Sequence, residues 1–232
     1  MFARSILFYI ILGFWTFLMG LFCLPFLIFP ALYLIKPIKI WILGIFVLLK
    51  NICGITHEIQ GQENIPIEPV LVASKHQSAF ETFALFYYLP NAIFIHKKQL
   101  FYIPIFGQYL KKINMISINR NGGASTMRTM LKKTKRRAME GKSIIIFPEG
   151  TRKIPGAKPN YKSGFIGVYN EMKTPILPVA VNSGKYWPKH SFVKKSGKII
   201  IKFLPQIKPN LSRNQVLSEV EKIIEQATNK IT

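Results

Sequence analysis

His76 and Glu81 stand five residues apart in Lys75-His76-Gln77-Ser78-Ala79-Phe80-Glu81, directly after the apolar run Val70-Leu71-Val72-Ala73-Ser74. An imidazole titrates near neutrality and can serve as a general base there. A carboxylate one helical turn further on can take the second ring N–H, fix the tautomer and stabilise the cation that forms. A second block is Phe147-Pro148-Glu149-Gly150-Thr151-Arg152, where an apolar run ends in a tight turn. Its exposed amides and the planar fork of Arg152 match phosphate oxygens. A third transition, Met115 to Gly123, carries Arg120. Each has a plainer reading. Ser78 and Glu81 also fit a capping box that starts a helix, and Arg152 and Arg120 also fit solvated arginines at turns. Ser78 is not read as a nucleophile, since no Gly-x-Ser-x-Gly elbow surrounds it.

These blocks need elements to position them. Short β-rich runs at Thr56–Gln60, Val70–Ser74, Ala92–His96, Met115–Ile118, Ser143–Phe147, Ile176–Val181 and Lys198–Phe203 predict strands. Between them Phe80–Leu89, Ser125–Glu140 and Ser163–Asn170 read as helices. An amphipathic helix closes the chain from about Ser212 to Lys230, with Val216, Val220, Ile223, Ile224 and Ala227 on one face. The alternation predicts an α/β fold, a single mixed sheet covered by helices, over residues 53–232. His76 then stands at the carboxyl end of a strand, where open α/β sheets place their ligands.

Residues 1–52 read as a membrane-anchoring helical segment. Ser5 to Ile35 carry no charge, and a helix from Ser5 to just past Gly20 would cross an apolar layer of about 30 Å. Pro25 and Pro30 interrupt the run. Ile40 to Leu49, beyond Lys36-Pro37-Ile38-Lys39, reads as a second apolar stretch too short to span alone. Either one spanning helix or a two-helix hairpin in one leaflet fits. The run is longer than a signal-peptide core and ends in prolines and lysines, which argues against cleavage. The excess of lysine and arginine after it predicts a domain on the cytoplasmic side of the membrane.

The net charge is +22, with 32 basic residues against 10 acidic ones, and mean hydropathy is +0.22. That excludes a disordered polybasic tail and favours polyanionic partners, anionic lipid surfaces among them. Lys132, Lys133, Lys135, Arg136 and Arg137 are the densest basic cluster, read as a solvated helix face or one turned toward lipid or nucleic acid. All ten acids are glutamate, so any catalytic carboxylate is a Glu. Cys23 and Cys53 form neither a disulfide framework nor a zinc site. Gly141-Lys142-Ser143 lacks the earlier glycine of a phosphate loop, and His57-Glu58 lacks the second histidine of a zinc helix. No metal site is predicted.

The order and spacing of His76–Glu81, Arg120, Phe147–Arg152 and Thr174-Pro175-Ile176-Leu177-Pro178-Val179-Ala180-Val181 resemble the membrane-bound glycerophospholipid acyltransferases. The likeness is closest to the bacterial 1-acyl-sn-glycerol-3-phosphate (lysophosphatidate) acyltransferases and runs from about residue 56 to 205. It implies transfer of a fatty-acyl group from a thioester, acyl-CoA or acyl-carrier protein, to the sn-2 hydroxyl of lysophosphatidate, giving phosphatidate. His76 would be the base and Glu81 its orienting group, with no acyl-enzyme and no cofactor beyond the thioester. Arg120, Glu149, Gly150, Thr151 and Arg152 match the family's glycerol-phosphate-binding blocks, and Pro178 marks an apolar block near the acyl chain. Lysophosphatidate, the acyl thioester, anionic lipids and an acyl carrier protein are the implied partners, and nucleic acid is not. Two departures stand out. The family's His-x4-Asp is His-x4-Glu here, and Asn119 replaces the acid that usually precedes the arginine of the second block. The same chemistry on glycerol 3-phosphate or another lysolipid is the rival within enzymes. A non-enzymatic basic membrane protein is the rival outside them.

Overall fold

A computed structural model describes residues 1–119 and 122–232. The apolar N-terminus forms helix α1 (Phe2–Cys23), a 3-10 turn over Leu24–Leu27, and helix α2 (Leu32–Leu48), which runs on through a wider turn over Leu49–Cys53. Pro25 and Pro30 fall between the helices, as the missing N–H and fixed φ of proline require. The second stretch is longer than Ile40–Leu49, which corrects the sequence reading. Pro37 is accommodated inside α2, so Leu32–Cys53, like Phe2–Leu27, is long and apolar enough to cross a membrane. Lys39 does not break the helix either, since lysine is a good helix former, and its ammonium lies over the Tyr87 ring, 5.8 Å from the centroid.

The two helices are tied to each other. Trp15 Nε1 donates to the Trp41 carbonyl at 3.0 Å, and Trp41 Nε1 donates to Thr16 Oγ1 at 3.1 Å. Phe14, Phe17 and Phe22 face outward, more than half exposed, whereas Ser5, Phe8, Met19 and Cys23 are buried. Helix α1 therefore has one apolar face turned away from the protein and one docked onto it.

The described residues form a seven-stranded sheet in the order β1-β7-β6-β2-β5-β3-β4. Its strands are β1 (Ile55–Gln60), β2 (Leu71–Ser74), β3 (Ala92–Lys97), β4 (Ile116–Ile118), β5 (Ser143–Ile146), β6 (Ile176–Val181) and β7 (Gly197–Phe203). Strands β6, β2, β5, β3 and β4 are mutually parallel, while β7 runs antiparallel to β6 with β1 parallel beside it. The sheet is mixed, as the sequence predicts. Helices α3 (Phe80–Tyr88), α4 (Phe106–Lys112), α5 (Gly123–Met139), α6 (Ser163–Met172) and α7 (Arg213–Ile231) cover it. Central strands β2 and β6 are buried along their whole length, so they read as continuous apolar runs. In β7, Ile199, Ile201 and Phe203 alternate inward against Lys198 and Lys202. Helix α7 opens on a Ser212–Gln215 capping box and buries Val216, Val220 and Ile224.

Register decides what meets at the carboxyl edge. Ala73 of β2 lies beside Ile146 of β5 on one side and Pro178 of β6 on the other. Three adjacent parallel strands thus deliver the loops starting at Lys75, Phe147 and Asn182 to the same edge. That is where the site forms.

Candidate active site

His76 leaves the end of β2 with both faces of its backbone held. Its N–H donates to Glu149 Oε2 at 2.9 Å, and its carbonyl accepts from Lys153 N at 2.8 Å. The imidazole stacks on Phe147, with centroids 3.8 Å apart and planes at 13°. Nδ1 lies 2.9 Å from Glu81 Oε1. A carboxylate only accepts, so Nδ1 carries a proton there, which in the neutral ring leaves Nε2 as the acceptor. The imidazole is therefore tautomer-fixed with its basic nitrogen directed away from Glu81.

Glu81 is fully buried at the start of α3. Its Oε1 also accepts the backbone N–H groups of Gln77 and Ser78, each at 2.7 Å, and its Oε2 accepts Ser183 Oγ–H at 2.6 Å. The full Ser78–Glu81 capping box does not form, since Ala79 is the N-cap; Glu81 makes only its half, accepting the Ser78 amide, while it orients the histidine. Ser78 Oγ accepts the Phe80 N–H, so it starts the helix too.

Glu149 is buried with both oxygens engaged inside the protein, Oε2 by the His76 amide and Oε1 by Lys75 Nζ at 2.9 Å. Burial raises its pKa, an effect the lysine and amide contacts offset only in part. Lys75 Nζ also reaches Glu225 Oε1 on α7 at 2.6 Å, which in turn accepts the Tyr161 hydroxyl. Glu149 thus acts on the site through the backbone of His76. Gly150 follows at φ 68°, a left-handed turn that a Cβ would strain. Thr151 and Arg152 come next, both half-buried.

Sequence reasoning missed the loop after β6. Ser183 reaches Glu81, Gly184 N donates to Gln77 Oε1 at 3.1 Å, and Lys189 Nζ donates to Thr151 Oγ1 at 3.2 Å. Lys194, at its far end, is buried. Its N–H donates to Ser5 Oγ at 2.9 Å and its ammonium to Tyr9 Oη at 2.7 Å, both on α1. Desolvation lowers the Lys194 pKa to about 8. The available signal was topological: this loop leaves the strand beside the one that carries His76.

Of the other predicted residues, Pro178 lies within β6 beside Ala73, where its carbonyl accepts from Leu204 N. It does not line the main cavity. Arg120 lies outside the described residues. Among the described residues no group of three His, Cys or Glu side chains gathers as a metal site.

An apolar cavity of about 390 Å³ lies between α1, α2 and the sheet edge, lined among others by Gly13, Thr16, Trp41, Phe83, Phe94 and Tyr109. Phe94 in its wall stacks on Phe147 at 5.9 Å, and Phe147 stacks on His76. Two stacked rings, Phe147 and then Phe94, therefore lie between the imidazole and the cavity. A half-buried base, nearby cations and an apolar pocket together suit a substrate with an anionic head and a long apolar tail.

Residues 56–182 match the family profile described as Acyltransferase. The chain is 34% identical over 199 residues to a 1-acyl-sn-glycerol-3-phosphate acyltransferase of Pseudomonas aeruginosa, covering 84% of this chain and 77% of that one. It is 29% identical to the enzyme of the same name from Limnanthes alba, covering 66% of this chain and 55% of the relative. Its fold is similar to the crystal structure of the 1-acyl-sn-glycerophosphate acyltransferase of Thermotoga maritima, with TM-score 0.80 and 22% identity over 99% of this chain and 98% of that one. With the profile spanning more than half of its length and a curated relative aligned along most of it, the chain belongs to the acyltransferase family.

Proposed function

We propose that the protein transfers a fatty-acyl group from a thioester to the sn-2 hydroxyl of 1-acyl-sn-glycerol 3-phosphate. The observation that carries this reading is the His76–Glu81 pair, its Nδ1 held by the carboxylate at 2.9 Å, on the sheet edge shared with Arg152. His76 Nε2 takes the hydroxyl proton as the oxygen attacks the thioester carbonyl. The C–O bond forms, the C–S bond breaks, and the imidazolium returns the proton to the leaving thiolate. Glu81 stabilises the imidazolium between these steps. Arg152, with Arg120 and the Gly150–Thr151 turn, holds the phosphate. Glu149 contributes by fixing the His76 backbone, and Pro178 by keeping β6 in register beside β2. The reading needs no metal and no cofactor beyond the acyl-CoA or acyl-carrier-protein cosubstrate.

The apolar cavity supports a place for the acyl chain, since its lining is almost wholly hydrocarbon and aromatic. Helices α1 and α2 pack on each other and on the domain while keeping an outward apolar face. That favours a hairpin seated in one leaflet over a single free span. Residues 1–52 would then hold residues 53–232 against the cytoplasmic surface, helped by their positive charge.

Replacing His76 with Ala tests the mechanism. General base catalysis contributes about 10²–10⁴-fold, so turnover of lysophosphatidate with either donor should fall by at least that factor while the protein still inserts and folds. Turnover near the wild-type rate in a folded variant would overturn the assignment.

A further inference from the structure

The loop that sequence reasoning missed sets a further cation beside the proposed phosphate site. Lys189 Nζ is hydrogen-bonded to the Thr151 side chain, one residue from Arg152. Among the described residues neither Lys189 nor Arg152 is ion-paired with a glutamate. Lys189 is thus tied to the turn that carries Arg152, with no glutamate of the described residues to balance either charge, an arrangement that an anion would complete. The backbone around Lys189 is also well held. Trp187 is buried and packs edge-on against Phe8 of α1, with centroids 5.7 Å apart, and Trp187 N donates to Ser183 O at 2.8 Å. Lys194 then fastens the far end of the loop to Ser5 and Tyr9. Lys189 thus projects from a segment clamped at both ends, on one side by Glu81 and on the other by α1.

The chemistry of the ligand follows from the charge count. A phosphate monoester carries about −1.5 to −2 at neutral pH, whereas a phosphodiester headgroup carries a single negative charge on its phosphate. Each further cation at the phosphate favours the monoester over the diester.

We infer that Lys189 is a specificity-determining residue that reads the second negative charge of a phosphomonoester acceptor, in concert with Arg152. The inference rests on the acyl-acceptor reading above and narrows it: among lysolipids the site selects a terminal phosphate. Thr151 serves the ammonium as a hydrogen-bond acceptor that holds it over the turn.

The test compares the full-length wild type with K189Q and K189R in mixed micelles. Each is assayed with lysophosphatidate as acceptor and with lysophosphatidylglycerol as a phosphodiester probe, read by its KM or, without turnover, by its Ki against lysophosphatidate. A hydrogen bond to a charged group is worth enough to predict a roughly 10- to 100-fold rise in KM for lysophosphatidate in K189Q. The constant for lysophosphatidylglycerol and the kcat for lysophosphatidate should stay within a few-fold, and K189R should recover most of the monoester preference. An equal loss for both lipids would make Lys189 a purely structural residue and overturn the inference, as would an unchanged ratio. Wild-type protein that fails to acylate lysophosphatidate at all would instead overturn the acceptor reading itself, and the inference with it.

Discussion

Glu81 carries four hydrogen bonds on two oxygens, and substitutions can separate its functions. Removing the carboxylate in Glu81→Ala would strand the Gln77 and Ser78 amides and the Ser183 hydroxyl in a fully buried place. Each unsatisfied group costs about 1–3 kcal/mol, so E81A should unfold at a clearly lower temperature as well as lose turnover. His76→Ala, by contrast, leaves those three donors paired and should lose turnover alone. Thermal unfolding followed by circular dichroism, run beside the activity assay, checks the difference. An E81A protein as stable as the wild type would sink the structural half of the argument. The same logic explains the tolerated Glu in place of Asp: the longer side chain reaches the His76 ring and the preceding amides together.

Elements, more than single residues, shape the apolar cavity. Helices α1 and α2 approach closely because Gly44 has no side chain, and a Cβ there would overlap the Trp15 indole. That indole donates to the Trp41 carbonyl, and both Thr16 and Trp41 line the cavity. At the other end of the cavity the Tyr109 hydroxyl of α4 donates to the Gly20 carbonyl of α1. Gly44→Ala should therefore pry the helices apart at an overpacking cost of about 1–3 kcal/mol. The expected result is a lower unfolding midpoint in detergent by tryptophan emission, with altered acyl-chain preference. Unchanged emission and chain preference would mean that the helix pair adapts without touching the cavity.

The whole molecule combines a +22 net charge with a broad apolar face. Arg128, Lys132 and Lys133 on α5 are exposed, and among the described residues they have no glutamate partner. Each such residue near an anionic leaflet is worth about 1 kcal/mol, and salt screens that attraction over a Debye length of about 8 Å at physiological strength. Binding to vesicles containing phosphatidylglycerol should exceed binding to pure phosphatidylcholine vesicles at low salt. The excess should collapse at high salt, leaving the attachment supplied by α1 and α2. Sedimentation of the protein with vesicles measures both parts, and a preference insensitive to salt would exclude the charged surface from membrane contact.

Local patterning determined a great deal. Apolar runs and turn residues located every strand to within a residue or so of its ends, because such runs are written in consecutive positions. His76 and Glu81 were legible for the same reason, being one helical turn apart. The short helix α4 was missed, since Phe106–Lys112 offers barely two turns of period, and α2 was cut short because a proline and two lysines look like an ending when neighbours are unseen. Only the tertiary structure decided what surrounds the base. Lys75 meets Glu225 across 150 residues, and Lys194 meets Ser5 across 189. Ser183 finds Glu81 because β6 happens to lie beside β2. Such contacts depend on strand order and register, which are set by packing of the whole sheet and leave no local period in the chain.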